Sequence, residues 1–174
     1  MGLKTIAQRL RVVALTQVKP KVYVDMDGTI CDFSRAVKEL GPGPAEGLPK
    51  DSTQEQKQLM WDEIDKVGPD FWSKMKWLPD GKKLWALVKD YNPVLLSNPG
   101  KFRFAKAGKE IWVSENLPGV SLFLDTDKSQ YAEDGSILID DDQENISSFR
   151  EYGGEGILHE NYEKTKEELE KLLN

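Results

Sequence analysis

The sequence predicts an α/β fold, a Rossmann-like parallel sheet flanked by helices and carrying a small helical insertion. Short apolar, β-branched runs alternate with amphipathic stretches of roughly ten to fifteen residues, the rhythm of βα units. Several of these runs stop abruptly at polar residues, at Asp25, at Ser97-Asn98 and at Asp140-Asp141. With 39% apolar residues in a chain of 174, there is enough material for one core of ordinary domain size.

The elements follow in order. Leu3, Ile6, Leu10, Val13 and Ala14 recur at helical spacing and predict an amphipathic helix over 3–16, closed by Pro20. Lys21–Val24 is too short for a helix and reads as a buried strand ending at Asp25. Residues 32–40 read as a helix, broken by Gly41-Pro42-Gly43-Pro44. A polar, Gln-rich helix is expected over 52–67, with Trp61, Ile64 and Val67 on one side. Phe71, Trp72 and Trp77 precede a turn at Pro79-Asp80-Gly81. The regular pattern then sets in: helix 82–90, strand 93–97, helix 102–116, strand 120–124, strand 136–139, helix 143–150, strand 156–158 and a charged helix over 161–173. The expected organisation is an N-terminal helix (1–20) packed on or near the core, a core from 21–33 and 80–174, and an insertion over 34–79.

Composition narrows the chemistry. Cys31 is the one cysteine and His159 the one histidine, which excludes an internal disulfide and argues against structural zinc or a Ser/His/Asp triad. Both are expected to pack, as are Trp85 and Trp112 on apolar helix faces. Carboxylates are in excess, 30 against 24 basic residues, so metal chemistry would favour a hard cation with oxygen ligands. Residues 1–20 carry Lys4, Arg9, Arg11 and Lys19 and no acid, which leaves −10 on the remainder. That acidic body argues against a nucleic-acid partner. No apolar run approaches the ~18 residues of a membrane span. The basic start resembles an organelle transit peptide, but the reading adopted is a cytoplasmic protein.

Three strand ends carry the chemistry: Asp25-Met26-Asp27-Gly28-Thr29, Ser97-Asn98 and Asp140-Asp141. In an open parallel sheet, ligands bind beyond the carboxyl ends of the strands, so these residues should meet in one crevice. Carboxylates gathered without a counter-ion repel one another, and a divalent cation removes the conflict. Taken singly, Asp-Gly is a common turn and Asp-Asp-Asp a solvated helix start.

The DxDGT stretch Asp25–Thr29 resembles the first motif of the haloacid dehalogenase-like phosphohydrolases; Ser97, Lys128 and Asp140-Asp141 match the other three in order and spacing. Within that superfamily the chain is most similar to the 5'(3')-deoxyribonucleotidase family, through Asp25–Phe33, Leu78–Gly81, Lys109–Val113, Asp127–Ser129 and Leu138–Asp141. The resemblance covers roughly 21–160 and implies a haloacid dehalogenase-like core with a helical cap over 34–79.

The resemblance implies a Mg²⁺-dependent phosphomonoesterase for (deoxy)ribonucleoside monophosphates. Asp25 would attack phosphorus and form an aspartyl-phosphate, and Asp27 would protonate the leaving group and then activate water. Lys128 would neutralise the phosphoryl oxygens. Asp25, the Asp27 carbonyl and Asp141 would hold Mg²⁺, with Asp140 a supporting or alternative ligand. Asp142 would cap the helix 143–150. Thr29, Ser97, Asn98 and Lys128 would contact substrate, and Phe33 would stack on the nucleobase, with Phe71, Trp72 and Trp77 as candidate walls. The family's other base-contacting segment has no counterpart here. Ser97 stands where the family more often has Thr, which keeps the hydroxyl.

Two other readings stand beside this one. A related phosphatase would act on a sugar phosphate or a nucleic-acid 3'-phosphate. A catalytically silent binding protein would keep the fold but typically lose the nucleophile, whereas Asp25 is present. A homodimer is left open.

Overall fold

The computed structural model of the chain describes residues 19–41, 52–100 and 103–173. The predicted helix over 3–16 lies outside them, as do residues 42–49 of the Gly/Pro-rich stretch.

Five parallel strands form one sheet: β1 (Lys21–Val24), β2 (Val94–Ser97), β3 (Leu122–Leu124), β4 (Ser136–Asp140) and β5 (Glu155–Leu158), in the spatial order β3-β2-β1-β4-β5. Val24 is in register with Leu95 on one side and Ile139 on the other. β1 is therefore the central strand, and its neighbours are the two other strands that end in candidate site residues.

Alternation along each strand sends successive side chains to opposite faces, and both faces are buried. Val22, Val24, Leu95, Ile137, Ile139 and Ile157 belong to the larger core. Tyr23, Leu96 and Leu138 form a smaller one with Ile146 and Phe149. The α-helices among the described residues are α1 (Phe33–Lys38), α2 (Gln54–Val67), α3 (Pro69–Ser73), α4 (Gly81–Val88), α5 (Ala105–Asn116), α6 (Gln143–Glu151) and α7 (Tyr162–Leu173). The larger core takes Leu84 and Val88 from α4, Trp112 from α5 and Leu169 from α7, as well as Met60, Ile64, Phe71 and Trp72 from α2 and α3. Among the described residues, helix α6 covers the smaller core, joined by Tyr131.

Local signals account for the helix starts. Thr53 and Gln56 form a reciprocal capping box at α2, and Pro69 opens α3, where its missing N–H costs nothing. Asp142 accepts from the Glu144 N–H and caps α6, as expected.

The observed elements depart from the sequence reading in a few places. Helix α3 was not expected; a sharp turn at Gly68 (φ 73°) separates it from α2. Strand β3 begins at Leu122 because Val120 is held in the turn after α5, its N–H donating to Leu117. The helix expected over 82–90 ends at Val88 and tightens into a 3₁₀ turn, Lys89–Tyr91. A second 3₁₀ turn, Lys128–Tyr131, carries one of the candidate site residues.

No helix among the described residues is long and apolar enough to cross a membrane.

Candidate active site

The sheet order brings the ends of β2, β1 and β4 side by side, and the candidate residues gather there. β1 stops at Val24, and the Asp25 N–H continues the ladder by donating to Ile139 at 2.9 Å. The chain then leaves the strand in a tight turn in which the Met26 carbonyl accepts from Ile30 (3.0 Å) and Cys31 (2.7 Å). Gly28 makes the turn feasible at φ 84°. A side chain there would also collide with the Asp141 carboxylate, since a Cβ would lie 2.3 Å from its Oδ2.

Two buried lysines organise the carboxylates. Lys128 Nζ donates to Asp25 Oδ1 and Asp140 Oδ2, each at 2.6 Å. Burial works against its charge, but Asp25 and Asp140 overcome that penalty and hold its pKa above the ordinary lysine value. Asp127 fixes the turn that presents this lysine by accepting from the Ser129 N–H at 3.1 Å.

The second lysine, Lys109 on α5, is fully buried. Its Nζ donates to Asp27 Oδ2 (2.6 Å), Ser97 Oγ (2.8 Å) and the Asn98 carbonyl (2.8 Å). Motif reading gave this residue no role, although a signal was present. Ala105, Lys109, Trp112 and Val113 share the inward stripe of one helix, and a lysine on an apolar stripe needs partners.

Asp140 and Asp141 have different surroundings. Asp140 is buried and saturated: besides Lys128 it accepts from the Asp142 N–H (2.9 Å) and from Asn145 Nδ2 (3.0 Å). Asp141 sits at the rim, exposed as a residue, but its carboxylate lies against Gly28 and takes a long contact from Thr29 Oγ1 at 3.4 Å. Oxygens of Asp25, Asp140 and Asp141 all lie within 4.8 Å of one another. Loss of hydration, then the charges of Asp25 and Asp140, push the Asp141 carboxyl up to about 7. Burial raises Asp27 and Asp140 as well, while their lysines pull the other way. Four carboxylates thus face two ammonium groups. That excess, all on hard oxygen donors, suits a divalent cation such as Mg²⁺.

Thr29, expected at the substrate, is fully buried, and its hydroxyl makes the 3.4 Å contact to Asp141 Oδ1. Ser97 lies at the end of β2, and Asn98 turns its side chain to the Gly100 N–H at 2.6 Å.

Beside Asp27 opens an apolar slot of about 260 Å³ lined by Phe33, Trp61, Trp72, Asn98, Pro99 and Gly100. The Phe33 ring lies 5.8 Å from both Trp61 and Trp72, centroid to centroid. Of the expected walls, Trp72 alone lines the slot. Phe71 is buried behind it, edge-on to Phe33 at 5.6 Å. Trp77 packs on Trp112 (4.9 Å) and donates to Asn116 Oδ1 (3.0 Å). Trp61, read from sequence only as one side of a helix, takes the remaining wall. Gly108 lets α3 come this close: a Cβ there would lie 2.4 Å from the Trp72 Cβ and 2.5 Å from the Pro69 carbonyl.

No protein-family model matches the chain, and no curated protein matches it in sequence. Solved structures do share its fold. A hydrolase from Streptococcus pneumoniae TIGR4 superposes with a TM-score of 0.57 at 12% identity, over 88% of this chain and 100% of that one. The L-2-haloacid dehalogenase of Xanthobacter autotrophicus gives 0.54 at 12% identity, over 79% and 76%. A phosphonoacetaldehyde hydrolase-like protein from Oleispira antarctica gives 0.50 at 15%, over 79% and 71%. The chain therefore has the haloacid dehalogenase-like α/β fold.

Proposed function

We propose that the protein is a Mg²⁺-dependent phosphomonoesterase of the 5'(3')-deoxyribonucleotidase type, acting on (deoxy)ribonucleoside monophosphates. The observation that carries this reading is the meeting of Asp25, Asp140 and Asp141 within 4.8 Å of one another, with the Lys128 ammonium on Asp25. Phosphoryl transfer needs a nucleophile, a proton donor for the leaving oxygen and positive charge around the transferring group.

Asp25 is the nucleophile. Its carboxylate oxygen bonds to phosphorus as the ester P–O bond breaks, and Asp27 gives its proton to the departing oxygen. Burial and the neighbouring Asp25 charge raise the Asp27 pKa, which favours the protonated form this step requires. Asp27, now a carboxylate, takes a proton from water as that water attacks the aspartyl-phosphate, releasing inorganic phosphate and restoring Asp25. Lys128 commits two of its three N–H groups to carboxylates, which leaves one for a phosphoryl oxygen. Asp25, Asp141 and the Asp27 carbonyl would hold Mg²⁺, and Asp140, saturated by its own partners, would support Lys128. When bound, the ion supplies positive charge against the carboxylate excess and the phosphoryl oxygens.

The aromatic slot favours a nucleoside leaving group over a sugar phosphate. Phe33, Trp61 and Trp72 line the slot beside the proposed proton donor, and an aromatic wall suits a nucleobase, which every nucleotide carries. Helices α1, α2 and α3, which supply these rings, act as the cap over the crevice. Phosphate release should be measured across a panel of nucleoside monophosphates and a sugar phosphate, with Mg²⁺ and with EDTA. Release that is EDTA-sensitive and largest for nucleotides is expected. A folded protein that releases nothing would support the silent binding protein instead.

A further inference from the structure

We infer that Lys109 is a positioning residue for this reaction: one buried ammonium decides which oxygen of Asp27 carries the transferred proton and leaves the Ser97 hydroxyl its hydrogen to donate. The inference rests on the phosphomonoesterase reading above.

The hydrogen-bond inventory carries it. An ammonium has three N–H donors and no acceptor. Lys109 spends all three, on Asp27 Oδ2, Ser97 Oγ and the Asn98 carbonyl, at 2.6–2.8 Å. None is left for a phosphoryl oxygen, in contrast to Lys128. Lys109 therefore acts through other groups.

Two consequences follow from donor and acceptor logic. Ser97 Oγ accepts from Lys109, so its own hydrogen remains available for a phosphoryl oxygen. Asp27 Oδ2 also accepts from Lys109, and an O–H on that oxygen would oppose an incoming N–H. When Asp27 is protonated, the proton must sit on Oδ1. That oxygen is buried and has no hydrogen-bond partner. Its capacity is unused among the described residues, and under this inference it goes to the leaving oxygen of the phosphate ester.

The ammonium is itself held in place. Its side chain is fully buried on α5, and Nζ lies 5.1 Å from the centre of the Trp72 ring. The same indole lines the slot for the leaving group. Lys109 thus links the slot, the proton donor and the strand end of β2 in one contact set.

The test is the leaving-group dependence of kcat/KM, which reports phosphoryl transfer to Asp25 and excludes the aspartyl-phosphate hydrolysis common to all esters. In Lys109→Met, kcat/KM for a nucleoside 5'-monophosphate should fall by ~10²–10⁴-fold, the range for loss of general acid–base catalysis. For 2,4-dinitrophenyl phosphate, whose leaving group needs no proton, the fall should be about tenfold or less, the part carried by the Ser97 hydroxyl. In an Asp27→Asn background the same substitution should lower kcat/KM for the nucleotide by no more than that about tenfold. Equal losses on both esters, or a larger loss in the Asp27→Asn background, would overturn the inference. If Lys109→Met fails to fold, Lys109→Arg is measured in the same way. It keeps the charge but not the three tetrahedral donor directions, so a graded loss supports the inference and a flat loss overturns it. A folded wild-type protein inert toward both esters would instead remove the phosphomonoesterase reading, and the inference with it.

Discussion

Lys128 and Asp25, 103 positions apart in the chain, form a buried ion pair with Nζ 2.6 Å from Oδ1. The pair exists because β1 and β4 are neighbours and the turn after β3 folds back over their ends. The same ammonium also pairs with Asp140, so it remains compensated if either carboxylate is lost.

That redundancy shapes the first prediction. Asp25→Asn should abolish phosphate release, because an amide oxygen is a poor nucleophile. It should also keep the fold, since Asp140 still neutralises Lys128. Turnover and thermal melting measured on one preparation check this, and activity near wild type would remove the nucleophile assignment.

The crowded carboxylates predict a pH dependence of the metal-free protein. Lost hydration and the charges of Asp25 and Asp140 push the Asp141 carboxyl from its ordinary 3.8 up to about 7 in the folded protein. An acid whose pKa is raised on folding binds its proton more tightly in the native state. Its stabilising effect is complete below the unfolded pKa and is lost as pH rises through about 7. Asp27 and Asp140 are raised too and act with the same sign. In EDTA, the melting temperature should therefore fall between about pH 4 and 7. Mg²⁺ should restore much of it near pH 7, and Asp141→Asn should weaken both the fall and the restoration. A melting curve indifferent to Mg²⁺ in the wild type would count against the cation site.

The slot predicts selectivity at two rings. Phe33→Ala or Trp61→Ala should cost nucleotide turnover ~1–3 kcal/mol in kcat/KM, the range for a lost base–aromatic stack. A small phosphate ester such as methyl phosphate, which does not reach the rings, should be affected much less. Equal losses for the two substrates would make the rings structural.

Packing at α3 and α5 gives a prediction free of any assumption about the reaction. Gly108→Ala places a methyl group against the Trp72 Cβ and the Pro69 carbonyl, and backbone cannot step aside as a flexible side chain would. Overpacking of this kind costs about 1–3 kcal/mol. Melting should drop by roughly 2–4 °C per kcal/mol in a domain of this size. An unchanged melting temperature would mean that α3 is not tightly seated.

Periodicity and strand-end chemistry are local properties, legible along the chain. They are enough for the α/β class, for nearly every strand and helix, and for the gathering of Asp25, Asp27, Ser97, Asp140 and Asp141 at one rim, whereas Lys128 entered only through the family resemblance. The order β3-β2-β1-β4-β5 was decided by tertiary structure, because parallel neighbours are chosen by contacts between segments far apart in the chain. That order set the different surroundings of Asp140 and Asp141, which are identical in type and adjacent in sequence. Helix packing put Trp61 rather than Trp77 at the slot, and it turned Lys109 from a lysine on an apolar stripe into the partner of Asp27 and Ser97. A side chain's type can be read one residue at a time, whereas its hydrogen-bond partners belong to whichever elements the packing sets against it.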